Sequence, residues 1–136
     1  MNFGAIGSII GHEITHAFDD QASKYETWSE HSRKAYQERV QCIINQYSSH
    51  RVKEVEDYYA DENIAPFHLN GNYTQKEDIA DCGGVKLALY ALKRFEDKFP
   101  EAKITPIGLQ NFDSDKIFWL SFAQTFCRCV SSRGWN

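Results

Sequence analysis

Long apolar runs are missing from this sequence. A membrane-spanning helix needs about 18 to 20 consecutive apolar residues, and the chain has no run of that length. Residues 1–4 carry no basic side chain, and the apolar stretch at residues 4–11 is short and rich in glycine. The sequence therefore predicts neither a transmembrane segment nor a signal peptide within these 136 residues.

Proline and clustered basic residues are also scarce. Three prolines and eight glycines exclude a collagen-like or low-complexity chain. The 15 lysines and arginines are set against 19 acidic residues, which gives a net charge of −4, and they form no dense block. Because nucleic-acid-binding proteins usually carry a basic face, we predict no nucleic-acid partner.

The four cysteines follow no zinc-ribbon spacing. Cys127 and Cys129 are separated by a single residue, and no Cys-x-x-Cys pair occurs in the chain. The even number permits two disulfides, and buried or free thiols are an equal alternative. The cysteines alone therefore leave the redox compartment open.

What the sequence does contain is the composition of a globular protein. Hydrophobic residues make up 42% of the chain and charged residues 25%, which is enough apolar material for a core. A length of 136 residues is close to the commonest size of one domain. We therefore predict a single domain over residues 1–136.

Apolar residues recur at helical spacing along most of the chain, which predicts a mainly α fold. A capping box at Thr27-Trp28-Ser29-Glu30 predicts the start of a helix that ends near Tyr47. Asn70-Gly71-Asn72 predicts a loop over residues 66–73, and Gly83-Gly84 predicts close packing or a kink. The other predicted helices cover residues 4–20, a short surface segment within 49–62, 74–99, and 116–129 after the capping residues 113–115.

The motif His12-Glu13-Ile14-Thr15-His16 lies in the first predicted helix. Residues four apart on an α-helix lie on the same side, about one turn apart. Both imidazoles can therefore reach one ion at about 2.0–2.1 Å. Glu13 is offset from both histidines and can lie beside the ion without binding it. This spacing is a signature of zinc metalloproteases.

A third ligand is available at the start of the long helix predicted over residues 74–99. Glu77 and Asp81 are four residues apart, so their carboxylates share a face. One can complete a set of two histidines and one carboxylate, while the other accepts the distal N–H of a metal-bound histidine. Alternatively, Thr74-x-x-Glu77 is a capping box that ties Glu77 to the backbone. Spacing alone leaves the two interpretations equal.

Five blocks occur in order along the chain: residues 2–7, 12–20, 69–71, 77–84 and 118–124. Together they resemble the neprilysin (endothelin-converting enzyme) family of zinc metallopeptidases, and the resemblance covers nearly the whole chain. Ordered blocks of this kind are more specific than the five-residue motif. The resemblance implies that Glu77 is a ligand rather than a cap.

The resemblance also implies a role for each site residue. His12, His16 and Glu77 would hold one Zn²⁺ per chain, and Asp81 would orient a zinc-bound histidine. Glu13 would be the general base for a zinc-activated water that hydrolyses peptide bonds. The implied fold is a mainly α, thermolysin-like zinc-peptidase catalytic subdomain that is incomplete at both ends.

The sequence departs from the family pattern beside the predicted ligand. Lys76, Asp78 and Cys82 stand where the family usually has Gly, Asn and Asn. The family segments that carry a substrate-binding Asn-Ala-aromatic motif, and a histidine and an arginine that assist the transition state, would lie outside residues 1–136. A catalytically impaired zinc-binding fragment or pseudoenzyme of the same family is therefore the alternative to a working metalloendopeptidase.

The resemblance further implies an extracellular or cell-surface ectodomain, with any membrane attachment through an N-terminal anchor that this chain lacks. Cys42 and Cys127 stand where the family has cysteines whose disulfide partners would lie outside the chain. Asn72-Tyr73-Thr74 is an N-glycosylation sequon, which has meaning only in a secreted protein.

Two further groups have less specific interpretations. His31, His50 and His68 have no partner at ligand spacing, so we predict exposed polar residues. The aromatic residues of the last predicted helix are expected to pack as one face on the core, with a pocket for a peptide side chain as the less favoured alternative. These residues are Phe118, Trp119, Phe122 and Phe126.

Overall fold

A computed structural model describes residues 1–18, 28–62, 66–102 and 106–127. Its described residues are mainly α-helical, which confirms the predicted fold class. Their only β feature is an isolated antiparallel bridge between Arg51 and His68, and none of their helices is long and apolar enough to cross a bilayer. The helices are α1 (Ser8–His16, entered directly from a π-helix at Phe3–Gly7), α2 (Glu30–Ser48), α3 (Lys53–Tyr58), α4 (Gly71–Lys98) and α5 (Ser114–Phe126), with 3₁₀ turns at Ala60–Glu62 and Pro100–Ala102.

Helix α2 begins at a different cap from the one predicted. Ser29 has an extended backbone, and its side chain accepts the N–H of Ser32 at 3.1 Å. Glu30 is therefore the first helical residue and cannot be the third residue of a capping box. The predicted box was wrong, but the Ser29 side chain still satisfies a backbone N–H in the first turn of the helix, as a cap does. Thr27 lies outside the described residues.

Helix α4 begins three residues before the predicted start. The predicted loop over residues 66–73 is correct only as far as Asn70, whose side chain accepts the N–H of Tyr73 at 3.1 Å. Gly71 lies so close to α2 that a Cβ there would stand 2.5 Å from the carbonyl oxygen of Ile44. The missing Cβ therefore allows the helix to begin directly against the end of α2.

Helix α5 begins with the acidic cap that the sequence predicts. The Asp113 side chain accepts the N–H of Lys116 at 2.8 Å. The helix starts two residues earlier than predicted and ends at Phe126, and residues 128–136 lie outside the described ranges. The predicted short helix within 49–62 is confirmed as α3.

The chain divides into two compact units. The first comprises Met1–Ile14 with Asp81–Asn136, and the second comprises Thr15–Ala80, so the division falls within helices α1 and α4. In the first unit, the π-helix packs on α5 with Gly4 against the backbone of Phe118. Its buried apolar side chains are Ala88, Ile117 and Phe118. One domain over residues 1–136 stays a prediction.

Helices α1 and α4 approach each other closely inside the first unit. A Cβ on Gly84 would lie 2.5 Å from the backbone N of His12 and 2.6 Å from the carbonyl oxygen of Ser8. A Cβ on Gly11 would lie 2.7 Å from the carbonyl oxygen of Gly84. The close packing predicted at Gly83-Gly84 is therefore confirmed at Gly84, and it holds α1 backbone against α4 backbone.

Candidate metal centre

Two helices supply all the predicted ligands. Helix α1 carries His12 and His16 one turn apart, and helix α4 carries Glu77 and Asp81 one turn apart. Each helix is continuous between its two residues, so helical geometry fixes each spacing.

In the first unit, Asp81 contacts His12. The Asp81 Oδ1 atom lies 2.7 Å from His12 Nδ1, which is a hydrogen-bond distance. The Gly11–Gly84 approach sits beside this pair, because Gly11 precedes His12 and Gly84 follows Asp81 by three residues. With Nδ1 bonded to the carboxylate, a metal ion would be bound through Nε2.

In the second unit, Glu77 contacts His16. The Glu77 Oε2 atom lies 3.6 Å from His16 Nε2, which is too long for a good hydrogen bond. Two ligand atoms held at about 2.1 Å by one tetrahedral zinc ion are separated by about 3.4 Å. The observed separation is therefore close to the one expected for two atoms that share an ion.

The donor set matches zinc. Helix α1 carries the two histidines one turn apart, and Glu77 lies against the second of them. Two imidazoles and one carboxylate form a set used by catalytic zinc sites, which keep a further coordination position open. The side chain of Glu77 is 65% exposed, whereas those of His12 and His16 are 19% and 27% exposed, so the group is accessible from solvent. The residues present therefore fit a zinc ion.

The capping alternative for Glu77 is wrong. Thr74 is the fourth residue of α4 and not its cap, because the helix already begins at Gly71. Its hydroxyl donates instead to Asp78 Oδ2 at 2.6 Å. Asp78 is buried, and sequence reasoning missed this role. The only sequence signal was its place beside Glu77, where the resembling family usually has Asn.

The remaining predicted site residues lie at the surface. Glu13 is exposed on α1 between the two histidines, and Asn72 is exposed as the second residue of α4. Cys42 and Cys127 are exposed free thiols. His31, His50 and His68 are also exposed, which confirms their predicted character.

A cavity of about 190 Å³ opens beside the His12–Asp81 pair in the first unit. Helix α5 contributes Phe122, Thr125 and Phe126 to its lining, and α1 contributes Ser8 and Ile9. The predicted core role of the α5 aromatics is confirmed for Phe118, which is 1% exposed. It is wrong for Trp119 and Phe126, which are 47% and 57% exposed. The sequence pattern treated these aromatic residues as one helix face, so it could not distinguish the buried Phe118 from the exposed Trp119 and Phe126.

Comparison with known proteins gives one consistent result. A family model for peptidase family M13 matches residues 1–134. Neprilysin-11 of Caenorhabditis elegans is 40% identical over 134 residues, which cover 93% of this chain and 14% of that protein. Neprilysin-2 of Drosophila melanogaster is 41% identical and the endothelin-converting enzyme homolog of Locusta migratoria 39% identical, each over 93% of this chain and 16% of the relative. The chain thus spans about one sixth of the length of the relatives it matches.

Proposed function

The chain belongs to peptidase family M13, and from this we propose that it supplies the zinc-binding centre of a metalloendopeptidase. The observation that carries the proposal is the 3.6 Å separation of His16 Nε2 and Glu77 Oε2. Helix geometry places His12 one turn from His16 on α1, which supports His12, His16 and Glu77 as the three ligands. We propose one zinc ion per chain.

The proposed ligands are prepared by their neighbours. Asp81 accepts the Nδ1 proton of His12 and thereby favours the tautomer that would bind a metal ion through Nε2. A zinc ion, when bound, supplies Lewis-acid chemistry that lowers the pKa of water and polarises a peptide carbonyl. The two imidazoles must be neutral to bind it, so metal affinity is expected to fall when they become protonated.

Glu13 is the proposed general base. It lies on α1 beside both histidines and is exposed, so its carboxylate is accessible to water and substrate. In peptide hydrolysis it would accept a proton from the attacking water and deliver that proton to the departing amine. The cavity beside His12 is proposed to receive an apolar side chain of the peptide, because Phe122, Phe126 and Ile9 line it.

The proposed location is extracellular or at the cell surface, as the resemblance implies. Cys42 and Cys127 are exposed and therefore accessible to disulfide partners outside these residues. Asn72 is exposed as well, and the neighbouring Tyr73 is 85% exposed, so a glycan on Asn72 would meet little obstruction there.

The test uses the full 136-residue chain with Glu13→Gln and the matched control Glu54→Gln, which changes an exposed glutamate on α3. We expect Glu13→Gln to keep one zinc per chain and to lower peptide hydrolysis about 100-fold or more, because the general base is removed and the ligands remain. Metal content and cleavage of a fluorogenic peptide are the measurements.

Three results are informative. Unchanged hydrolysis by Glu13→Gln would contradict the role of Glu13. Zinc binding by the wild-type chain without any hydrolysis would favour the alternative, a catalytically impaired zinc-binding fragment or pseudoenzyme. Absence of zinc binding by the wild-type chain would contradict the proposed centre itself.

A further inference from the structure

The chain leaves the end of α2, forms α3, and returns to a point next to its departure. The backbone N–H of Val52 donates to the carbonyl of Phe67 at 2.8 Å, and the N–H of Leu69 donates to the carbonyl of His50 at 3.1 Å. Arg51 and His68 form the antiparallel bridge between these two bonds. Residues 50–52 and 67–69 are therefore paired by only two backbone hydrogen bonds, and isolated two-stranded pairings are marginally stable in water.

A single carboxylate reinforces this short pairing. Glu56 of α3 accepts Arg51 Nε at 2.7 and 2.8 Å on its two oxygens, and it also pairs with the Nη2 group of Arg51. The same Oε1 accepts the backbone N–H of Phe67 at 2.7 Å. The Glu56 side chain is only 11% exposed, whereas that of Arg51 is 59% exposed. Glu56 thus ties together three segments of the second unit: the chain before α3, α3 itself and the chain before α4.

The electrostatics favour the ionised form of this carboxylate. The hydrogen bonds from Arg51 lower the pKa of Glu56 below its usual value, and its partial burial opposes them. The N–H of Phe67 and the charges of Arg51 and His68 lower the pKa further. Asp57 on the same helix contributes no bond to this junction, because it pairs with Lys53 at 2.6 Å. The junction therefore depends on Glu56 and not on its acidic neighbour.

The segment that Glu56 holds leads directly into α4. Asn70 follows the paired residues and accepts the N–H of Tyr73, and the N–H of Gly71 donates to Ser48 Oγ at 3.2 Å. Glu77 lies six residues after Gly71, about 9 Å along the helix. Its side chain is largely exposed, so its position depends on the helix backbone beneath it more than on packing around it.

We propose that Glu56 is a positioning residue for the metal ligand Glu77, acting through the Phe67–Gly71 connection that sets where α4 begins. The proposal rests on the proposed function, in which Glu77 binds zinc. Loss of the Glu56 carboxylate releases Phe67 and Arg51 together, and the start of α4 can then shift or fray. The carboxylate of Glu77 then moves away from His16 by an amount that depends on how far the start of α4 shifts.

The experiment compares Glu56→Gln with Asp57→Asn, the neighbouring exposed acid, in the full chain. Zinc affinity is measured by competition with a chromophoric chelator, and the ligand field is measured from the visible absorption of the Co²⁺-loaded protein. We expect Glu56→Gln to weaken zinc binding about tenfold and to change the Co²⁺ spectrum, because supporting groups around a metal site have effects of this size. Asp57→Asn should match the wild type in both measurements.

Arg51→Gln is the second variant, and it decides the question if Glu56→Gln does not fold. It leaves Glu56 with Phe67 alone, so we expect a smaller loss of zinc affinity in the same direction. A folded variant with lower thermal stability but wild-type affinity and Co²⁺ spectrum would overturn the proposal, because Glu56 would then be purely structural. Failure of the wild-type chain to bind zinc would instead overturn the proposed function, and this proposal with it.

Discussion

At the scale of single residues, one hydrogen bond determines which nitrogen of His12 can face a metal. Asp81 occupies Nδ1 at 2.7 Å, and a neutral imidazole with that nitrogen protonated presents a lone pair only at Nε2. Without the carboxylate, the ring could rotate and exchange tautomers, so ordering it on the metal would cost conformational freedom. Asp81 is therefore expected to contribute to metal affinity without touching the ion.

Replacement of Asp81 by Ala tests this expectation. We expect zinc affinity to fall about 10- to 100-fold, because carboxylates that orient ligand histidines have effects of this size. Asp97→Ala is the matched control, since Asp97 is an exposed acid on the same helix. The measurement is zinc competition with a chelator, and equal affinities for the two variants would rule out the orienting role.

Part of the site could be predicted from the sequence because its geometry is local. Residues four apart on a helix lie on the same face, which is true of His12 and His16 and also of Glu77 and Asp81. The meaning of Thr74-x-x-Glu77 depended instead on where α4 begins. That start is set by the close approach of Gly71 to the end of α2, a contact between residues distant in sequence. No local pattern contains that information.

At the scale of secondary-structure elements, the close approach of α1 and α4 in the first unit fixes the backbone of His12. Gly11 and Gly84 bring the two backbones together, and a side chain on either would stand below 3 Å from backbone atoms of the opposite helix. Backbone atoms cannot rotate away as a flexible side chain can. Helix propensity favours Ala over Gly by about 1 kcal/mol, whereas forced overpacking costs about 1–3 kcal/mol. The steric cost should therefore outweigh the gain in helix propensity, so that replacing either glycine by Ala lowers the free energy of unfolding.

We predict that Gly84→Ala destabilises the chain by up to about 2 kcal/mol and also weakens zinc binding, since the intruding methyl group displaces the backbone of His12. The measurements are chemical denaturation and zinc competition. Lys86→Ala, an exposed change two residues along α4, should leave both unchanged. A stabilised Gly84→Ala variant would show that the helices separate without cost.

The helix boundaries show which structural features local sequence patterns can predict and which they cannot. Residues 113–115 were identified as capping residues ahead of α5 because they directly precede an apolar run, and the bond from Lys116 N to Asp113 is local. For α2, the capping box predicted from Thr27 to Glu30 was wrong, because Ser29 is the cap and Glu30 is the first helical residue. On α5, Phe118 and Trp119 are adjacent in sequence but differ in exposure, because burial depends on what packs against the helix.

At the scale of the whole molecule, few apolar side chains are fully buried. Among the described residues they are Ala80, Ala88, Ile117 and Phe118. Large apolar side chains remain exposed on α1, including Ile10 at 54% and Ile14 at 52%. A ligand that binds only the folded chain adds its binding free energy to the stability of the fold. Zinc should therefore have a large effect on the stability of this chain.

We predict that zinc at about 100 times its dissociation constant stabilises the folded chain by about 2.7 kcal/mol, with a rise in unfolding temperature on the order of 10 °C. The rise should vanish with chelator and in His16→Ala. His31→Ala, which changes an exposed histidine on α2, should retain it. Thermal unfolding with and without zinc measures the effect, and an equal rise in His16→Ala would indicate binding elsewhere.

Because of the junction at Glu56, the length of the segment between Val52 and Phe67 need not affect where α4 begins. Val52 and Phe67 are held together at its base, so residues inserted after α3 change only the size of a closed loop. Doubling such a loop costs only about 0.6 kcal/mol in closure entropy. A reporter peptide or an affinity tag could therefore be placed after Tyr58 while the helix that carries Glu77 keeps its starting point.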